Sequence, residues 1–240
     1  MQETEGRLLG GRVRYAQPAC GFRSGIEPVL LAAAVPAAPG ESVIEGGSGA
    51  GAGLLCLAAR VGGIEGLGIE RDPALAALAQ RNAAANSQPT LNFIAADIAR
   101  LPRTARADHA FANPPYHPGA GTASPDPARA SAKQGGAEVF AVWTHALATL
   151  LRAGGTITLI APPARVPACL EALARAKCGS GSLYPLWPHA ATAAKLVLIQ
   201  ATRLGRGPFR ILPGLVLHER AGGYTKAADA ILSDGAAISI

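Results

Sequence analysis

The chain has 240 residues, 49% of them apolar and 5% aromatic, with a formal charge of +6. That length admits one large domain or two small ones, and a composition rich in Ala and Gly suits a helix-rich α/β protein better than an all-β one. No apolar run approaches the length of a membrane span, and Met1 to Tyr15 lack the apolar core of a signal peptide, so a cytoplasmic protein is expected.

In chain order, residues 1–26 are polar and basic, with Arg7, Arg12, Arg14 and Arg23 crowded together. They read as a short extension ahead of a single domain that takes up the rest of residues 1–240. Glu27 to Val35 reads as a short apolar helix. The next stretch passes from the β-branched run at Val43 and Ile44 into glycines and then into an amphipathic helix. A second strand ends near Glu70. Asp72 suits the N-cap and Pro73 the first position of the helix that follows, which closes near Asn86. A third strand ends at Asp97, and a fourth, Ala107 to Ala112, runs into Asn113-Pro114-Pro115-Tyr116.

Residues 119–136, rich in Gly, Ala, Ser and Pro, read as a mobile loop. A helix from Glu138, a fifth strand from Thr156 and a helix over Val166 to Lys177 resume the alternation. Gly181–Trp187 and Ala193–Arg203 read as two strands with no helix between them, hence antiparallel partners. Strand–helix alternation ending in such a hairpin implies one doubly wound, mostly parallel sheet with helices on both faces. Cys20, Cys56, Cys169 and Cys178 form no CxxC pair and show no zinc-type spacing with His, so reduced thiols and no metal site are expected. Further arginines gather at Arg100, Arg103 and Arg106 and at Arg203, Arg206 and Arg210. Such clusters fit either an RNA-facing surface or ordinary solvated side chains.

The loop Glu45 to Gly51, "EGGSGAG", lies between a strand and a helix, where backbone can approach a nucleotide-like ligand. Gly47, Gly49 and Ala52 fit a dinucleotide fingerprint, with Glu70 at the ribose-binding distance. Glu45, Gly47, Gly49 and Gly51 equally fit the acidic-x-G-x-G-x-G loop of S-adenosylmethionine-dependent methyltransferases. Asp97 and the NPPY stretch favour the second pattern. An amino group conjugated with a ring is a poor nucleophile, and two acceptors aimed at its hydrogens favour its pyramidalisation and bear the charge that develops. The Asn113 side-chain oxygen and the Pro114 carbonyl are such acceptors. Pro114 and Pro115 stiffen the turn, and Tyr116 offers a face on which a flipped base can stack. His117, Lys133, Trp143 and Trp187 are weaker candidates; the pattern around Trp143 is that of a core residue, and Trp187 suits strand-end packing better than stacking.

On these residues the sequence resembles the amino methyltransferases that carry an Asp/Asn/Ser-Pro-Pro-aromatic stretch. It is most similar to the bacterial family that methylates adenine N6 beside the anticodon of a valine tRNA. The resemblance runs from "FRSGIEPVLLAAAV" through the glycine loop, "GIERDPALAALAQRNAAAN", "AAD" and "NPPY" to "LVLHERAGGYTKAADAIL". It implies a Rossmann-like class I methyltransferase fold with a seven-stranded sheet, S-adenosylmethionine as cofactor, and RNA, the tRNA anticodon region, as partner. It further implies that Glu45, Gly47 and Gly49 lie along the methionine half of the cofactor. Glu70 would take the ribose hydroxyls and Asp97 the adenine amino group. Arg71 and Ile98 would flank the adenine ring, Gly25 would close over the carboxylate, and Asn113 to Tyr116 would form the acceptor pocket.

Two positions depart from the family. Ile26-Glu27 stand where Thr/Ser-Asp is usual, which removes a hydroxyl, and the loop acid is Glu45 where Asp is commoner. The target stays open between adenine N6, guanine N2 of rRNA, cytosine N4 and a protein glutamine, since related enzymes use NPPY on each. A degenerate methyltransferase fold that only binds RNA is the reading that Ile26 keeps open.

Overall fold

The computed structural model describes residues 2–20, 24–101, 106–115 and 128–240, with the side chains of residues 128–137 left aside. Helices α1 (Glu27–Ala34), α2 (Ala52–Val61), α3 (Pro73–Ala85), α4 (Ala128–Leu150), α5 (Val166–Arg175) and α6 (Lys226–Leu232) alternate with strands. The strands are β1 (Glu3–Leu8), β2 (Val13–Pro18), β3 (Ser42–Gly46), β4 (Glu65–Glu70), β5 (Leu91–Ala95), β6 (Ala107–Ala112), β7 (Leu151–Ala161), β8 (Cys178–Trp187), β9 (Leu196–Arg203), β10 (Arg210–Ile211) and β11 (Leu215–Val216).

Strands β3 to β11 form one nine-stranded sheet in the order β10-β8-β9-β7-β6-β3-β4-β5, with β11 also on β8. The central strands β5, β4, β3, β6 and β7 run parallel, and β9 is antiparallel to both β7 and β8. The order reverses beside β3: from there the chain winds outward through β4 and β5, then returns through β6 and β7. Crevices outside the carboxyl ends of strands arise at such a switch point. The doubly wound arrangement expected from the alternation is therefore present. The sheet exceeds the expected seven strands by β10 and β11, each two residues long and each laid alongside β8.

Two apolar layers hold the helices to the sheet. One joins α1, α2, α3 and α6 through residues such as Leu30, Leu54, Leu57, Leu78 and Ile231. The other joins α4 and α5 through Phe140, Leu147, Cys169 and Leu173 to Ile44, Ile69 and Leu159. Burying a Leu or Phe side chain contributes about 1.5–3 kcal/mol, so these layers dominate the stability of the fold.

Two regions differ from expectation. The basic leader is an antiparallel hairpin, β1 on β2, with Arg7 opposite Arg14. Its inner face buries Val13 and Tyr15, and two apolar positions are too few to announce a strand in the sequence. The segment read as a mobile loop is helical from Ala128 onward, because its Ala-rich second half continues into α4. Residues 119–127 of that segment lie outside the described residues, as do Arg23, Arg103, Tyr116 and His117.

Candidate active site

Strand β3 ends at Gly46, which lies opposite Ile69 of β4 and Ala112 of β6. The glycine loop, Glu70 and Asn113 therefore leave three neighbouring strands side by side, and Asp97 follows β5 next to them. The loop is anchored to β4: Gly47 N and Ser48 N both donate to Ile69 O, at 2.8 and 3.1 Å. Gly47 and Gly49 adopt φ of 65° and 54°, left-handed values that most other residues reach only with strain. A Cβ on Gly47 would also lie 2.4 Å from the Trp143 ring, whereas one on Gly49 would meet nothing within 4 Å. Gly49 thus faces open space, as a backbone cradle for a ligand must.

Glu70 closes the loop from the side. Its Oε2 accepts from Gly49 N at 2.9 Å and its Oε1 from Asp72 N at 2.9 Å. Asp97 caps a short 3-10 turn, accepting from Ala99 N at 3.0 Å, while Arg100 approaches its other oxygen at 3.8 Å. Arg71 is exposed. Ile98 is 5% exposed and packs with Leu147 beneath Gly46.

Glu45 lies below the loop, fully enclosed, with Oε2 accepting from Leu54 N at 3.0 Å. Loss of hydration pushes its carboxyl up to about 8, and the charge of Glu70 adds to the shift. On the far side of β6, Asn113 begins the proline turn; Pro114 is buried and Pro115 exposed. The Asn113 Oδ1 is buried and has no hydrogen-bond partner among the described residues, and neither has Ser48 Oγ in the glycine loop. A buried acceptor without a donor costs about 1–3 kcal/mol, so both oxygens stand ready for groups brought by a ligand. A nucleoside cofactor over the loop and an amino group at Asn113 fit that donor and acceptor set.

The strap that carries Gly25 is tied to the hairpin. Ser24 N donates to Gln17 Oε1 at 3.1 Å, and Ser24 Oγ lies 2.9 Å from the Tyr15 hydroxyl. Gly25 itself is exposed, with the Glu27 carboxylate leaning over it. Ile26 is the N-cap of α1 and offers no side-chain oxygen to the helix. Trp143, which the sequence pattern assigns to the core, does pack half-buried against the apolar layer of α4 and α5, and its ring also lies across the glycine loop at Gly47. Its signal was present in the need for glycine at position 47, but only the packing of α4 joins the two.

Solved structures share this architecture. A predicted O-methyltransferase from Agrobacterium tumefaciens superposes with a TM-score of 0.73 at 22% identity, covering 88% of this chain and 96% of that one. This is the class I methyltransferase fold. TrmN from Thermus thermophilus aligns with 71% of this chain and 46% of its own, at 21% identity and a TM-score of 0.52. The T. thermophilus 16S rRNA N2 methyltransferase RsmC, in complex with AdoMet and guanosine, covers 84% of this chain and 50% of its own, at 23% identity and a TM-score of 0.55.

In sequence the chain resembles two curated proteins named tRNA1(Val) (adenine(37)-N6)-methyltransferase. That of Shewanella woodyi is 27% identical over 89% of this chain and 92% of its own length. That of Actinobacillus succinogenes is 33% identical over 60% of this chain and 62% of its own. No family model matches the chain. Fold and resemblance together support a methyltransferase. Among the described residues no cluster of His, Cys, Asp and Glu could hold a metal ion, and no helix is long and apolar enough to cross a membrane.

Proposed function

We propose that the protein methylates an exocyclic amine of a nucleobase, adenine N6 in the anticodon region of a tRNA, with S-adenosylmethionine as donor. The observation that carries this reading is the buried Oδ1 of Asn113, without a hydrogen-bond partner among the described residues, beside the glycine loop at the switch point of the sheet. The resemblance to the two tRNA methyltransferases supports the choice of adenine and of tRNA.

S-adenosylmethionine, when bound, supplies an electrophilic methyl group. Gly47 and Gly49, with Glu45 buried beneath them, would lie along its methionine half, and Gly25 would close over the carboxylate. Glu70 would accept from the ribose hydroxyls with the lone pairs that its bonds to Gly49 N and Asp72 N leave free, and Asp97 would accept from the adenine amino group. Arg71 and Ile98 border the adenine, and Trp143 forms the wall opposite the loop. The target base, flipped from a single-stranded loop, presents its amino group to Asn113 Oδ1 and the Pro114 carbonyl. Both acceptors draw the two N–H bonds out of the ring plane and bear the positive charge that grows on nitrogen, and Pro114 and Pro115 keep them from reorganising. The proton leaves after transfer, so no general base is needed at the start. By the resemblance Tyr116, outside the described residues, would stack on the base. Residues 1–240 act as one catalytic domain with residues 1–26 as its extension, in the cytoplasm.

Asn113→Ala tests the reading. S-adenosylmethionine affinity, measured by calorimetry, should stay close to that of the wild type, while methyl transfer to tRNA falls by about a hundredfold or more. Near-normal turnover would remove Asn113 from the reaction. A wild-type protein that binds RNA but neither S-adenosylmethionine nor NAD would favour the binding-only alternative that Ile26, a cap without a hydroxyl, keeps open.

A further inference from the structure

The carboxyl edge of the sheet carries a second cluster of chemistry-bearing side chains, away from the glycine loop. The rings of His189, His218 and Tyr224 follow one another across the surface. His189 and His218 have ring centroids 5.7 Å apart with their planes tilted by 45°, and His218 and Tyr224, paired across a β-bridge, are stacked at 5.0 Å with 23° between their planes. Tyr224 remains 41% exposed, so one face of the stack is open to water. Arg220 and Lys226, both exposed, are near neighbours in the chain of His218 and Tyr224, and exposed Lys195 stands just ahead of β9; none forms a salt bridge among the described residues, and Glu219 lies between His218 and Arg220.

The cluster is held on a hydrogen-bonded frame. Leu217 N donates to Trp187 O at 2.8 Å, His218 N to Pro188 O at 3.0 Å and Thr225 N to Leu217 O at 2.9 Å. Thr225 Oγ1 caps α6 and donates to Val216 O at 2.7 Å. Trp187 takes no part in the stack; its Nε1 donates to Pro213 O at 3.0 Å, which gives it a strand-end role.

Strand register puts the cluster and Asn113 on one edge. Ala112 of β6 lies opposite Leu159 of β7, Ala161 of β7 opposite Val197 of β9, and Leu186 of β8 opposite Leu196 of β9. From β6 to β8 is three strand spacings, about 14 Å. An unstacked RNA strand crosses that distance in a few nucleotides.

We infer that His189, His218 and Tyr224 form a stacking platform for single-stranded nucleotides next to the methylated one, with Lys195, Arg220 and Lys226 on their phosphates. The inference rests on the nucleobase reading above. Exposed rings combined with unpaired cations are what sequence-tolerant binding of single strands requires, because every base has a face to stack and every linkage a charge to neutralise.

The test is fluorescence titration of the full-length protein with a stem-loop RNA whose adenine lies in the loop, together with calorimetric titration of S-adenosylmethionine. Tyr224→Ala should bind the RNA about ten- to a hundredfold more weakly, Tyr224→Phe about as well as the wild type, and both should bind the cofactor normally. Lys195→Gln and Lys226→Gln should each lower the slope of log affinity against log salt by about 0.7. Wild-type RNA affinity in a Tyr224→Ala variant that still binds cofactor would overturn the platform and leave the nucleobase reading standing. Equal losses in the Ala and Phe variants would also overturn it, since stacking does not need the hydroxyl. No RNA binding by the wild-type protein would overturn both.

Discussion

Glu45 is a carboxyl group held where its charge is unwelcome. Burial raises it to about 8 in the folded protein, with Leu54 N as its one hydrogen-bond donor and Glu70 as a like charge nearby. In the unfolded chain it titrates near the ordinary carboxylate value of about 4.3. The folded state therefore holds this proton more tightly. Its contribution to stability is fully present below the unfolded value and declines as pH rises toward 8. Glu45→Gln removes that dependence, so the stability of the variant relative to the wild type should rise between pH 5 and 8, by at most about 1.4 kcal/mol per pH unit. Urea unfolding at both pH values measures it; a constant difference would mean that the carboxyl is hydrated. Trp143 illustrates the converse. Its identity and helical setting spoke for a core position, and its contact with Gly47 depends on where α4 lands.

Helix α3 does more than connect two strands. Asn82 and Asn86, one turn apart on it, read the backbone of β2 as a neighbouring strand would. Asn82 Oδ1 accepts from Ala16 N at 3.0 Å and its Nδ2 donates to Ala16 O at 2.8 Å. Asn86 does the same to Arg14, at 2.8 and 2.7 Å. Asn82 Nδ2 also donates to Ala50 O at 2.9 Å, so one buried amide joins the hairpin to the end of the glycine loop. Asn82→Ala should lower stability by about 3 kcal/mol, from several polar groups left without partners, and weaken S-adenosylmethionine binding as the loop loosens. Melting and calorimetry together separate the two effects; unchanged cofactor affinity would confine Asn82 to holding the hairpin. The helix itself was legible from Asp72, Pro73 and Asn86, and Asp72 Oδ1 does accept from Ala74 N at 2.8 Å. The use of its asparagines was not, because their partners on β2 lie 66 and 72 residues away in the chain, and Ala50 lies 32 away.

Residues from the two ends of the sequence meet on the face of the sheet that carries α1. Arg12 Nη2 donates to Asp234 O at 2.7 Å, and Ile238 N donates to Ala33 O at 2.8 Å. Ile238 is 6% exposed and belongs to the same apolar layer as α1 and α6. Ile238→Ala should cost about 3 kcal/mol, a loss of about 6–12 °C in melting temperature for a protein of this size. Cofactor affinity should be unchanged, since the contact lies apart from the glycine loop. A melting temperature within about 2 °C of the wild type would show that the segment from Ser233 onward is peripheral to the fold.

The doubly wound arrangement could be read before any coordinates, because its signals are local: glycines after β3, Asp72 and Pro73 at the start of α3, prolines ending β6. The positions of Glu45, Glu70, Asp97 and Asn113 at strand ends follow from the same signals, and parallel pairing then makes them neighbours. Three features needed the tertiary structure. The hairpin of residues 3–18 depends on side chains of α3, β10 and β11 depend on the edge that β8 offers, and Trp143 and the His189–His218–Tyr224 stack depend on distant segments meeting. Local backbone preference and hydrophobic period act within a few residues and leave their mark in the sequence. Partnerships between side chains far apart in the chain are decided by which surfaces the packed layers bring together.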